Sequence, residues 1–181
     1  MPCAKETAIT HSSVRPGDRA PRLLLRIRVI LVFFTVLLVA SGLTAVPLQW
    51  ELDVLSGLVG VAPGAPPEQY TGLPHWIALV RQGLHETYAK YPFIAYGTDW
   101  LAFGHVVLGV FFLGAIRDPV RNAWVITAGM VACVLVVPWA LVFTPIRGIP
   151  LYWALIDCAF GVFGIIPLYL ARRWTLQLGS A

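Results

Sequence analysis

Asp157 has the clearest chemical implication of any residue in this chain. It lies in an otherwise apolar run, LYWALIDCAFGVFGIIPLYL (151–170), which is long enough to cross a lipid bilayer. A carboxylate at that depth costs about 2.5–3.5 kcal/mol on insertion scales unless another group offsets the charge. An acid inside a membrane helix therefore indicates a partner on a neighbouring helix or a site for a proton, an ion or a ligand.

His105 is a candidate partner for Asp157. Each residue lies five or six positions from the outer end of its apolar run, so a rise of 1.5 Å per residue places both about 8–10 Å below the outer boundary. Both also share a helical stripe with small residues, which mark helix–helix interfaces because they let backbones approach. The small residues are Ala102 and Gly109 on one run, and Ala154, Cys158, Gly161 and Gly164 on the other.

Four further polar residues are expected near the same level. Ser41 and Thr44 lie at the outer end of the first apolar run, Asp99 immediately precedes the second, and Arg147 lies in the connection TPIRGIP (144–150). Thr98 or Asp99 is also expected to cap the second helix. The candidate polar pocket consists of Asp157, His105, Arg147, Asp99, Ser41 and Thr44. We expect an oxygen of Asp157 within hydrogen-bond reach of His105 or Arg147.

Two interpretations of this polar group are open. In the first, the residues form interhelical hydrogen bonds that hold the bundle together. In the second, they form a small pocket that opens outward and binds a polar headgroup, a quinone-like ligand, an ion or a proton. A histidine beside an acid suits a proton relay, because imidazole titrates near neutral pH. No residue is assigned a catalytic role by a motif.

The sequence predicts no cofactor and no metal ligands. Haem bound by two histidines needs two facing imidazoles, and His105 is the one histidine within an apolar run. A Cu(I) site built from Cys133, Cys158 and His105 is disfavoured, because isolated cysteines in apolar helices usually serve as packing groups. CxxC, HExxH, GxSxG, P-loop and Rossmann signatures do not occur in the chain.

The composition indicates a membrane protein. The 181 residues are 58% hydrophobic and 12% charged, whereas a soluble domain carries about 25% charged residues. Four apolar runs, 28–48, 100–116, 123–143 and 151–171, are long enough to span. We therefore predict an all-α fold, a four-transmembrane-helix bundle over 23–174. Residues 1–22 are predicted to be a disordered, basic cytoplasmic tail, and 175–181 a second cytoplasmic tail.

The distribution of basic residues predicts the orientation. Ten lie in the N-terminal tail, the second connection and the C-terminus, and three lie in the other two connections. By the positive-inside rule, both termini are cytoplasmic and the protein lies in the inner membrane. A cleaved signal peptide is the alternative for the first run, but the apolar character continues to Leu48. The net charge of +4 does not indicate nucleic acid, because the basic residues sit at helix ends.

The first loop (49–99) is expected to face outward and to carry a helix. Residues 74–91 repeat apolar side chains at helical spacing, and Pro74 suits a first turn. With Trp76 and Tyr88 on the apolar face, this segment is predicted to be an interfacial helix on the membrane surface. A lid over the mouth of the bundle is the alternative.

Three phrases in the C-terminal half resemble a known group of proteins. They are YGTDWLAFGH (96–105), IRDPVRN (116–122) and PIRGIPLYWALIDCAFGVFGIIP (145–167). They resemble uncharacterised small bacterial integral membrane proteins with four spans. The resemblance implies the four-span topology and no particular activity.

The favoured function is that of a small accessory or ligand-binding membrane protein with a polar pocket in the outer leaflet, not an enzyme. Its expected partners are membrane lipids, and also another membrane subunit or further copies of the chain. The first alternative is a membrane enzyme acting on a lipid or isoprenoid headgroup, with His105 and Asp157 as acid and base. The second is an ion- or proton-coupled transporter.

Overall fold

The chain folds into long helices joined by short connections. A computed structural model describes residues 16–180. Its α-helices are α1 (Pro16–Leu43), α2 (Leu48–Leu58), α3 (Gly72–Lys90), α4 (Tyr96–Arg117), α5 (Ala123–Ile146) and α6 (Leu151–Gly179). Short 3-10 turns lie at Pro67–Gln69 and Pro92–Ala95.

Four segments are long and apolar enough to cross a membrane: Ala20–Leu43, Pro92–Arg117, Ala123–Ile146 and Leu151–Gly179. Most of their large apolar side chains lie on the outside of the bundle, where a soluble protein would place polar groups. The predicted all-α fold with four membrane helices is confirmed, and the chain has the architecture of a multi-pass membrane protein.

Several predicted boundaries differ from the observed ones. The first span was expected to continue to residue 48, but α1 ends at Leu43 and a turn separates it from α2. Pro47 occupies the N-cap of α2, and proline cannot donate the backbone hydrogen bond that would continue α1. Residues 16–22 are helical where a disordered tail was predicted, and α6 continues to Gly179. The rest of that predicted tail, 1–15, lies outside the described residues.

An apolar core lies in the half of the bundle that contains the 118–122 connection. It is formed by Ile27, Leu31, Phe112, Ala115, Val125, Ile126, Leu168 and Ala171. These residues come from the middle of α1, the end of α4, the start of α5 and the second half of α6. We call this end of the bundle the inner end, because the basic residues predict that it faces the cytoplasm. Here α1 packs between α4 and α6, and α6 packs on α5.

Polar side chains fix the inner end of α4. The Nε and Nη2 atoms of Arg28 donate to the carbonyl oxygens of Ile116 and Arg117, at 3.1 and 2.9 Å. The Nδ2 atom of Asn122 donates to the carbonyl oxygens of Gly114 and Asp118, both at 3.0 Å. Arg28 satisfies two carbonyls that the end of the helix leaves unpaired, and its charge complements the helix dipole. Asn122 adds a second hydrogen bond to carbonyls that already accept backbone amides.

The outer end of the bundle carries a cap, which we define as residues 48–90. Within it, and among the described residues, α2 packs on α3 and on none of the four long helices. The Trp76 ring of α3 lies 6.4 Å from the Trp153 ring of α6, between centroids. At the other end of α3, the Tyr88 hydroxyl lies 3.4 Å from Thr98 Oγ1 of α4. The predicted helix over 74–91 is therefore present as α3, and it reaches from the outer end of α6 to that of α4.

Close helix packing predicts a specific sensitivity at Gly161 of α6. A methyl group at this position would overlap the backbone oxygen of Cys133 on α5. We expect Gly161→Ala to lower the free energy of unfolding in detergent by about 1–3 kcal/mol, because α5 must move to relieve the overlap. Gly104→Ala on α4 is the matched control, since that position has open space around it. Equal stability of the two variants would contradict this packing.

Candidate functional site

Asp157 is half-buried on α6, in its second turn. Its carboxylate makes no hydrogen bond or ion pair with any residue of the described chain. The expected bond to His105 or Arg147 is therefore absent, and the polar pocket does not form as the sequence predicted.

His105 faces a different helix from Asp157. Its ring packs against Gly42 of α1, and its Nδ1 atom donates to the carbonyl of Leu101 at 2.8 Å, one turn earlier in α4. Within the described residues, no Cα atom of α4 lies within 8 Å of one in α6. The small-residue stripes do mark interfaces, but α4 uses its stripe against α1, while Gly161 of α6 packs on α5.

The other four candidate residues are also separate. Arg147 is exposed at the C-cap of α5, and Asp99 is exposed in the first turn of α4. The expected capping by Thr98 or Asp99 is wrong, because α4 begins earlier, after Ala95. Ser41 and Thr44 donate their hydroxyls to nearby backbone carbonyls, of Leu38 and Ser41, at 2.9 and 2.7 Å.

The structure instead joins three polar side chains in the cap. Arg81 Nε of α3 donates to Asp53 Oδ1 of α2 at 2.6 Å, and His85 Nε2, one turn further along α3, lies 3.0 Å from the same oxygen. The Arg81 side chain is 23% exposed and Asp53 is 41% exposed. This cluster of Asp53, Arg81 and His85 links the polar faces of the two cap helices.

The hydrogen bonds of the cluster determine which nitrogen of His85 is the donor. The hydrogen bond from Arg81, together with that from His85, lowers the pKa of Asp53 below its ordinary range. An ionised carboxylate can only accept hydrogen bonds, so the Nε2 atom of His85 carries the proton. In that neutral tautomer, the Nδ1 atom is unprotonated and can accept a hydrogen bond.

A cavity of about 300 Å³ lies beside this cluster. One wall is the α3 face that carries Arg81, Gln82, His85 and Glu86, and the other is the segment 61–66. Gln82 Nε2 donates to Glu86 Oε1 at 2.7 Å. Among the described residues, the Nη atoms of Arg81 have no acceptor, so they are available to a ligand in the cavity.

Side-chain bonds to the backbone hold the loop that forms the second wall. The Tyr70 hydroxyl accepts from the Ala62 amide at 3.0 Å, and His75 Nδ1 donates to the Pro67 carbonyl at 2.8 Å. Gly64 adopts a φ of 73° in the bend of this wall, a conformation that glycine adopts without steric cost. The cavity is therefore bounded by a fixed loop on one side and a helix on the other.

Two buried polar atoms of the cap have no partner among the described residues. Ser56 Oγ of α2 and Trp76 Nε1 of α3 are buried without a hydrogen-bond partner in the described chain. Local violations of this kind are expected at functional sites more than in ordinary packing.

Sequence reasoning missed the Asp53–Arg81–His85 cluster. Arg81 and His85 are four residues apart, so a helix places them on one face, and this signal was present in the chain. The missing information was that residues 48–58 form a separate helix that folds back on α3. In residues 16–180, no three histidine, cysteine, aspartate or glutamate side chains converge as metal ligands would.

The lowered pKa of Asp53 predicts a pH dependence of the cap. The ionised carboxylate stabilises the fold above its ordinary pKa of about 3.9, and this contribution is lost as the pH falls through the lower pKa of the folded state. We expect Asp53→Asn to cost about 0.5 kcal/mol at pH 7, as for a partly exposed ion pair.

The thermal unfolding midpoints of the wild type and Asp53→Asn, measured from pH 7 to pH 3, test this. The difference between them should shrink as the pH falls below 4. A difference that is constant with pH would contradict the ion pair.

The absence of a partner for Asp157 predicts a mild effect of its replacement. We expect Asp157→Asn to leave the free energy of unfolding in detergent unchanged or to raise it slightly, because no described contact is lost and a charge is removed from an apolar environment. Gly42→Ala should destabilise more, since the added methyl would overlap the His105 ring. A loss at Asp157 larger than the loss at Gly42 would show that the carboxylate has a partner.

Comparison of the chain with known protein families, with curated proteins and with solved structures gave no match. No related protein therefore bears on the candidate site, which is a polar cavity in the cap, outside the membrane helices. Its geometry alone indicates what it can bind.

Proposed function

We propose that this chain is a small bacterial inner-membrane protein that binds a zwitterionic lipid headgroup in its outer cap. Both termini lie in the cytoplasm in this proposal, which the distribution of ten basic residues against three supports. The observation that carries the proposal is the cavity beside Arg81, in a cap that contacts the outer ends of α4 and α6.

The cavity presents opposite charges to a ligand. The Nη atoms of Arg81 suit a phosphate, which guanidinium binds in a forked geometry. The Glu86 carboxylate lies on the same face of α3, one turn beyond Gln82, and suits an ammonium group. The apolar remainder of the wall, Val61, Pro66 and Ala78, suits the carbon atoms between them. A ligand with one phosphate and one amine, such as a phosphoethanolamine headgroup, matches this set.

The position of the charges supports binding more than it supports a purely structural cluster. Asp53 already neutralises Arg81 through Nε, so the guanidinium is oriented while its two Nη atoms stay available. A preoriented arginine loses less conformational freedom on binding than a mobile one.

An enzyme acting on a lipid headgroup is the second candidate, with His85 in place of the pair that the sequence suggested. The hydrogen bond between His85 Nε2 and Asp53 orients the imidazole and leaves Nδ1 as a base, as in other acid–histidine pairs. Release of a headgroup fragment from a bound lipid, lost in His85→Gln, would favour this candidate over simple binding.

Isothermal titration of the purified full chain with two soluble headgroup probes tests the binding proposal. Glycerophosphoethanolamine carries the phosphate and the amine, and glycerol 3-phosphate carries the phosphate alone. We expect Arg81→Gln to weaken binding of both probes by about tenfold, the effect of one charge-assisted hydrogen bond. Glu86→Gln should weaken binding of glycerophosphoethanolamine alone.

Lys90→Gln is the matched control, because Lys90 lies on α3 and outside the cavity. It should leave both affinities unchanged. Failure of the unmodified protein to bind either probe, or equal weakening by Arg81→Gln and Lys90→Gln, would overturn the proposal. The thermal midpoint of each variant shows whether a loss of binding comes from unfolding of the cap.

A further inference from the structure

A second cavity, also of about 300 Å³, lies at the inner end of the bundle. It is an open groove where the end of α6 passes the 118–122 connection and the start of α5. Its walls include Val120, Ala123, Arg172, Thr175 and Leu176. The groove is far from the cap, and nothing in the proposed headgroup site involves it.

Arg172 is fixed in this groove by a contact between two helices. Its Nε atom donates to Thr127 Oγ1 of α5 at 3.0 Å. The side chain is half-buried, and its Nη atoms have no acceptor in the described part of the chain. The bond through Nε therefore orients the guanidinium and leaves its two Nη atoms available to an acceptor in the groove.

The positive charge around the groove favours an anionic acceptor. The inner end of the bundle also carries Arg22, Arg26, Arg28, Arg117, Arg121 and Arg173. Asp118, in the connection, is an acid beside these arginines, and its Oδ1 accepts a hydrogen bond from the backbone amide of Arg121 at 3.0 Å. Positive charge at a membrane boundary attracts anionic lipid, by about 1 kcal/mol for each basic residue near the surface.

We propose that the groove binds the phosphate of an anionic phospholipid from the adjacent leaflet, with Arg172 as its ligand. The apolar side chains of Val120 and Leu176 contact the glycerol and the first carbons of the acyl chains. The hydroxyl of Thr175 donates to the Ala171 carbonyl at 2.8 Å, so Arg172 supplies the charged hydrogen bonds. The site is distinct from diffuse attraction because it depends on one oriented guanidinium.

Native mass spectrometry of the full chain in detergent, titrated with phosphatidylglycerol and with phosphatidylcholine, tests the proposal. We expect preferential binding of phosphatidylglycerol, and Arg172→Gln should weaken it about tenfold. Thr127→Val keeps the charge but removes the anchor of Arg172, so it should also weaken phosphatidylglycerol binding. Arg173→Gln is the matched control, because it removes the same charge from an exposed neighbour outside the groove.

Equal weakening by Arg172→Gln and Arg173→Gln would overturn the proposal, since diffuse attraction depends on charge and not on the groove. Equal affinity for the two lipids would overturn it as well. Competition by inorganic phosphate at concentrations comparable to those of the lipid would identify a site for free phosphate and contradict the lipid assignment. If Arg172→Gln unfolds, Thr127→Val decides between these outcomes.

Discussion

Close packing at the inner end of the bundle is the interaction on which the remaining structure depends. Lipid provides no hydrophobic drive for helices to associate, so they are held by van der Waals contact and by interhelical hydrogen bonds. The core around Ile27, Leu31 and Leu168 supplies that contact, and Arg28 and Asn122 secure the end of α4. The outer ends of α4 and α6, which support the cap, are positioned by this arrangement.

The membrane helices could be predicted from the sequence because the bilayer imposes one length and one composition on every span. The end of α1 could not, since apolar residues continue past Leu43, where the helix ends, and Pro47 prevents it from continuing. The sequence also did not show which neighbouring helix each helix packs against. A small-residue stripe shows that His105 and Asp157 lie near interfaces, but a stripe carries no information about which neighbour fills it.

The candidate site was harder to predict than the fold. A polar residue inside a membrane helix is a strong indication of a site, whereas a polar residue in a loop is a weak one. An acid in a membrane helix is conspicuous in a sequence, whereas Asp53, Arg81 and His85 lie among ordinary polar residues of a loop. Charged side chains near water cost little free energy to retain, so their presence in a loop is only weak support for a functional site. Only the folding of α2 back onto α3 makes them a cluster, across 28 and 32 positions of sequence.

The attachment of the cap has a consequence for dynamics. Among the described residues, α2 packs on α3 and on no long helix, and α3 meets the bundle at Trp76–Trp153 and Tyr88–Thr98. We therefore expect the cap to behave as a cooperative unit of its own. Such units open locally at a lower free energy than global unfolding, and they exchange amide hydrogens faster. Access to the cavity can thus be governed by the local equilibrium of the cap while the four membrane helices stay assembled.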